Sequence, residues 1–228
     1  MASQFLIRRR DAARLVMGPF AALCIAVPAS ALSAEQDKAA AEKVARKVEK
    51  AKESAREESV QQAAEEYEAL QRFQKRLKEY TRLHNFEYAK LGARESAETQ
   101  QALAIAIAAR RDKARPGDLF LTEVQPIFRR RIAQQLKGPD ALAARKAVAE
   151  GNPGHEEETT VPVPVRVNVG YPSGASRSTV PASVLLTLPP LPECLQYRFV
   201  DRDLILVDAV AQLIVDFVKD ATPALPAK

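Results

Sequence analysis

Two cysteines and two histidines in 228 residues leave few groups from which Cys/His chemistry could be built. Cys194 with a distant His84 or His155 is the pairing that a thiol nucleophile and its base would need. Cys194 lies in the proline-rich stretch LPPLPECLQ, with no helix start to lower its pKa, so the expectation is a buried thiol. His155-Glu156-Glu157-Glu158 places three carboxylates beside one imidazole, oxygen donors that would suit a divalent cation. Adjacent loop residues rarely converge on one ion, and the segment reads as a solvated acidic loop. His84, inside a charged helical pattern, reads as a helix-surface or boundary histidine. G-x-S-x-G, G-x-G-x-x-G and P-loop spacings do not occur. No catalytic residue, no metal ligand and no cofactor-binding residue is therefore assigned, and no cofactor is implied.

The densest basic feature is FRRRIAQQLKG. On a helix with Phe128 and Ile132 inward, Arg129, Arg130 and Arg131 fan around the solvated arc, and Lys137 falls on the side of Arg130. Such a face suits phosphate-bearing polyanions, namely anionic lipid, lipopolysaccharide or nucleic acid. It has no interleaved aromatics and no base-reading motif, so specific nucleic-acid recognition is not expected. The competing reading is a solvated face, or one paired with acidic groups of the C-terminal region.

The formal charge of +5 must be located before it is interpreted. Arg8, Arg9, Arg10 and Arg14 precede an apolar stretch from Leu15 to Val27, followed by Pro28 and the small residues Ala29-Ser30-Ala31, with Ala34 offering a second cut. Basic, apolar and small-residue regions in that order are the pattern of a secretory signal peptide over residues 1–34. The apolar run is short for a membrane span and is broken by Gly18-Pro19. Leu23 before Cys24 does not fit a lipoprotein signal, and Asp11 after the arginines does not fit a twin-arginine one. Residues 35–228 keep 30 basic and 28 acidic side chains. That +2 is a basic middle (99–150, ten against five) and an acidic end (151–228, six against nine). Cleavage would also remove Cys24, leaving Cys194 with no internal disulfide partner. No later apolar run reaches the length of a span, which excludes a polytopic membrane protein. The low cysteine count excludes a disulfide-dense scaffold and argues against a Cys/His zinc site.

Proline marks the boundary between the elements that must hold these groups. Residues 29–115 contain no Pro and one Gly, Gly92, whereas 116–228 carry 13 of the 15 prolines. Residues 35–62 are rich in Ala, Glu, Lys and Gln and read as a solvated charged helix or flexible segment. Residues 63–151 read as a helical region. Its first helix has an apolar stripe through Tyr67, Leu70, Phe73, Leu77, Tyr80, Leu83 and Phe86, whose steps are mostly three. That stripe favours packing on its own domain over a dimeric coiled coil. Gly92 suits the end of this helix and Ser96 the cap of a second. Thr122-Glu123-Val124-Gln125 is a capping-box pattern opening a third helix, with Phe128, Ile132 and Leu136 inward and Gly138 closing it. A fourth runs from Asp140 to Glu150, before the turn Asn152-Pro153-Gly154.

Residues 152–220 read as a small antiparallel β module. In VPVPVRVNV, Val161 to Val169 alternate with Pro162, Pro164, Arg166 and Asn168, and the prolines confine the first half to an edge or to extended chain outside a ladder. Pro181 to Leu188 reads as a short helical turn. LQYRFVDRDLILVDAVAQLIVDFV gives a meander of strands near 195–200, 204–208 and 212–218. Residues 221–228 read as a disordered tail. The fold class is α+β: a long charged N-terminal helix plus shorter helices, followed by a small antiparallel β-meander.

LPPLPECLQYRFVDRDLILVDAVAQLIVDF resembles the C-terminal module of small exported bacterial proteins of uncharacterised role. In these, an LPPLP segment leads into a Y-R-[FY]-V hairpin and a closing I-V-D strand. GDLFLTEVQPIFRRRI and AVAEGNPGHEEETTVPVPVRVNVGYP resemble the same group. A more distant similarity is to the periplasmic family linked to nickel/cobalt homeostasis, which ends in a comparable hairpin. The resemblance implies an α+β periplasmic protein and carries over no catalytic residues. Together these readings favour an exported, periplasmic (alternatively secreted), non-catalytic interaction or structural module. Its partner would be another envelope protein or an anionic surface, with membrane contact only through the signal peptide. The alternatives are a polyanion-binding protein acting through the 129–137 face, and a hydrolase whose site has no recognisable motif.

Overall fold

The computed structural model describes residues 30–137, 141–150, 162–172, 174–175 and 180–223. It is α+β. Helices α1 (Ser30–Lys90), α2 (Ala97–Arg110), α3 (Gln125–Leu136) and α4 (Leu142–Glu150) come first, then the short strand β1 (Val169–Gly170) and the one-turn helix α5 (Ala182–Leu185). Strands β2 (Leu195–Val200), β3 (Asp203–Asp208) and β4 (Leu213–Val218) follow. The chain divides into two units between Ala55 and Arg56. In the first, the side chains from Glu42 to Ala55 are all exposed; exposure continues in the second through Glu65. No described helix is long and apolar enough to cross a membrane.

The core of the second unit starts where α1 acquires a consistent inner face. Ala69, Phe73, Leu77, Tyr80, His84 and Glu87 are buried, with steps of four, four, three, four and three that hold one side of a 3.6-residue helix. Tyr67 and Phe86, expected on the apolar stripe, are instead exposed, because steps of three precess around the helix. Gly92, at φ +77°, terminates α1 as anticipated. Its N–H bonds to the Ala89 carbonyl and that of Ala93 to Tyr88, the paired bonds of a Schellman motif. Ser96 caps α2, its hydroxyl accepting from the Thr99 N–H at 3.1 Å.

The capping box expected at Thr122 does not form. Residue Val124 occupies the cap without a side-chain bond, and the Gln125 amide donates instead to the Phe120 carbonyl at 3.0 Å. The 121–124 turn satisfies its own N–H groups through the Leu121 carbonyl, so the box has nothing left to cap. Phe128, Ile132 and Leu136 are buried as their spacing requires. Phe73, Phe120, Phe128 and Tyr197 then interlock, with centroids 5.2–6.4 Å apart. This cluster joins α1, the loop before α3, α3 and β2.

The sheet has the order β1-β4-β3-β2, all pairs antiparallel. The meander strands fall within a residue of expectation. Both faces are covered: one by the helices, the other by Tyr171, Ala175 and the half-buried Val163, Val165 and Val167, which pack on Ile205, Val207, Ile214 and Phe217. Val163, Val165 and Val167 thus alternate inward as read, and Val161 lies outside the described residues. Only Val169 and Gly170 enter the ladder, because Pro162 and Pro164 have no N–H to offer it. A bulge in β4 pairs Leu206 with Asp216 but Val207 with Ile214, leaving Val215 as the extra residue. The side-chain phase shifts there, so Ile214 and Phe217, three apart, reach the same cluster.

Ala221 and Thr222, read as the start of a disordered tail, are buried, and the Thr222 N–H donates to the Arg202 carbonyl. The expectations for residues 1–29, Gly138, Asp140, the Asn152-Pro153-Gly154 turn, the His155–Glu158 cluster and the last five residues lie outside the described residues.

Candidate functional site

Tyr80 and His84, both on the helical stretch read from the sequence, converge on an acid that was not among the sequence candidates. Asp208 ends β3 fully buried, where the two-residue alternation of LILVD turns its side chain toward α1. Its Oδ2 accepts from the Tyr80 hydroxyl at 2.7 Å and from His84 Nδ1 at 2.5 Å. Its Oδ1 accepts from the Val210 and Ala211 N–H groups at 3.0 and 2.8 Å. Tyr80 and His84 reach it because residues i and i+4 share a helix face. His84, expected at the helix surface or its boundary, is only 3% exposed. A carboxylate can only accept, so the proton of the bond sits on Nδ1. Burial, followed by the Asp208 charge, pushes the Tyr80 hydroxyl well above its usual range.

Cys194 belongs to the same neighbourhood. It is buried, with Sγ 4.0 Å from Thr81 Oγ1, and burial together with the Asp208 charge raises its thiol pKa. That is the reverse of what an activated thiolate needs.

A second buried carboxylate organises the other side. Asp216 Oδ1 accepts from the Gly117 N–H at 3.0 Å and from Phe217, while Oδ2 accepts from Leu119 and Phe120, both at 2.8 Å. The loop between α2 and α3 is therefore wrapped on one β4 side chain, and Gly117 takes φ +94° to make the wrap. Desolvation raises the Asp216 pKa against the pull of those four N–H groups. Arg111 complements it: Nη1 donates to the Val215 carbonyl at 3.1 Å and to Asn168 Oδ1 at 3.3 Å. The carbonyl of the bulge residue thus gains from a guanidinium the donor that the ladder denies it. Arg111 also lies 5.4 Å from the Tyr80 ring centroid, and desolvation lowers its pKa.

Between these anchors is a depression of about 370 Å³, lined by Arg76, Glu79, Tyr80 and Leu83 of α1, Arg111, and the loop residues Gly117, Asp118, Leu119 and Leu121. Its rim carries both signs, with Arg76 and Glu79 paired at 3.5 Å. The Tyr80 hydroxyl is engaged in its bond with Asp208. Among the described residues, no group of three or more His, Cys, Asp or Glu is placed to hold a metal ion.

The basic face from the sequence is held by intrachain contacts. Arg130 and Arg131 both pair with Glu66, and Arg131 Nη1 also donates to the Thr187 carbonyl at 2.8 Å. Arg129 donates to the Lys219 carbonyl and to Gln125 Oε1. Lys137 is exposed beyond the end of α3. Among the described residues, Arg130 and Arg131 thus share one carboxylate, while Arg129 is held by a carbonyl and an amide oxygen. The paired acid comes from α1, rather than from the acidic C-terminal region considered at the outset.

Asp208 and Asp216 were legible as lone acids in apolar strands, LILVD and LIVDF. A carboxylate in such a position must find donors or be expelled. What the sequence did not show was which donors they find. No family model, curated protein or solved structure compared with the chain matches it.

Proposed function

We propose that the protein is exported to the periplasm and works there as a non-catalytic interaction module. The observation that carries the second half is the commitment of its buried acids. All four bonds of Asp208 and all four of Asp216 go to groups of the same chain. A general base or nucleophile keeps a lone pair for substrate; these carboxylates spend theirs on tying α1 and the α2–α3 loop to the sheet. The groups left for encounter are surface ones: the charged side chains of Glu42 to Glu65 and Lys137 beyond the end of α3. The first half rests on the basic, apolar and small-residue order of residues 1–34, and the resemblance of 185–217 to exported proteins points the same way.

Two measurements test it. The N-terminus of the protein recovered from an envelope fraction, read by mass spectrometry, is expected at Leu32 or Glu35, the residues that follow the two cuts; an intact residue 1–34 segment in the cytosol would refute export. Cross-linking in the native envelope is expected to trap a partner through lysines of 43–52. A chain that cross-links to nothing, yet turns over a substrate in a hydrolase panel, would overturn the interaction reading.

A further inference from the structure

The segment Val180–Pro192, VPASVLLTLPPLP, has no charged residue, yet only part of it faces the core. Val184 and Leu188 are buried, whereas Leu185 is 43% and Leu186 88% exposed. Two consecutive leucines are therefore displayed at the end of α5, held by the anchors on either side. The Thr187 hydroxyl closes on the Val184 carbonyl at 2.7 Å, and Arg131 of α3 grips the Thr187 carbonyl at 2.8 Å. This apolar tip is consequently fixed beside the basic helix. Along α3 and its end are Arg129, Arg130, Arg131 and Lys137; among the described residues the one acid paired with them is Glu66, shared by Arg130 and Arg131, and the helix itself has no acidic residue.

We propose that this tip and the α3 cations form a peripheral docking surface for an anionic phospholipid bilayer. Leu186, with Leu185 behind it, would enter the acyl boundary while Arg130 and Lys137 stay at the phosphate level. The division of labour follows from the two chemistries. An exposed leucine regains its hydrophobic transfer energy only in an apolar phase, and each cation near an anionic surface gains about 1 kcal/mol. Neither contribution alone gives firm attachment, so binding is reversible and salt-sensitive. The charge complementarity selects a bilayer of anionic headgroups over a neutral one. The proposal rests on the reading that the protein acts by binding within the envelope, and it names a lipid surface as what this face meets.

The test is co-sedimentation with vesicles of phosphatidylcholine alone and of phosphatidylcholine with phosphatidylglycerol, at about 0.15 M salt. The chain used begins at residue 35, since the apolar run Leu15–Val27 would itself partition into lipid. Among the described residues, every buried core residue lies at or beyond Ala69, so this truncation removes none of them. The expected result is binding to the mixed vesicles only. Leu186→Ser should weaken it about tenfold, and Arg130→Gln and Lys137→Gln about fivefold each. Circular dichroism melts of Leu186→Ser and Lys137→Gln should match the parent chain, because those groups are outside the core, and Arg130→Gln, which gives up its partly exposed pair with Glu66, should melt only slightly lower. Absence of binding to the mixed vesicles overturns the proposal. So does equal binding to neutral vesicles, or binding undiminished by Leu186→Ser, which would leave electrostatic adsorption alone. None of these failures touches the proposed export and partner binding, which are read from the N-terminus and from cross-links.

Discussion

Replacing Asp208 by Ala and by Asn separates the role of the carboxylate from that of its shape. In Asp208→Ala four donors lose their acceptor at once: the Val210 and Ala211 N–H groups, the Tyr80 hydroxyl and the His84 ring. Each unsatisfied buried donor costs about 1–3 kcal/mol, less where water enters the space vacated. A total of about 4 kcal/mol or more is expected, at the upper end of single substitutions. Asp208→Asn keeps much more. Its carbonyl can take the two backbone N–H groups while its amide donates to the tyrosine oxygen and to an unprotonated Nδ1, with His84 carrying its proton on Nε2 instead. That rearrangement should cost about 1–2 kcal/mol. Urea unfolding near neutral pH, with the slope checked for constancy, measures both. The reasoning fails if Asp208→Ala lies within about 1 kcal/mol of the parent, or if Asn is as damaging as Ala.

Other substitutions probe the remaining joints. Gly92→Ala meets no atom within 4 Å, so its cost is the φ +77° backbone alone, about 1 kcal/mol by urea unfolding. Ser96→Ala should lose the cap on the Thr99 N–H, at a cost of about 1 kcal/mol. For Cys194 the folded thiol pKa is raised above the unfolded value of about 8.5. The stability linked to it is therefore intact below about pH 8.5 and is lost as pH rises through the folded value. In a chain beginning at residue 35, Cys194→Ala should flatten the fall in stability just above about pH 8.5. The part setting in near about pH 10 should remain, since Tyr80 and Tyr197 are raised likewise. Iodoacetamide labelling of Cys194 in the same chain should be slow in buffer and rapid in concentrated urea.

Local signals carried the elements. Periodicity placed α3 and the three meander strands, Gly92 and Ser96 ended and began helices, and Pro162 and Pro164 kept their segment out of the ladder. These features depend on backbone conformation and on the alternation of side chains within a few residues, which neighbouring residues dictate. The capping box at Thr122 failed because its partners were claimed by the turn that precedes α3. Tyr67 and Phe86 were misplaced because a run of apolar residues does not state which helix face a distant sheet will cover.

The candidate site needed long-range pairing. His84 and Asp208 are 124 positions apart, and Gly117 and Asp216 are 99. A histidine on a charged helix looks solvated until a strand brings a carboxylate to it. The β4 bulge at Val215 leaves no mark in an apolar strand, yet it sets the side-chain phase after Ile214 and gives Arg111 its carbonyl. The sequence by itself determined where the chain is helical, where it is extended and which stretch is basic, because those follow from local steric and charge preferences. Only the tertiary structure decided which polar groups are buried together and which leucines are left outside. Burial is a property of the faces that meet, and no single segment contains both of them.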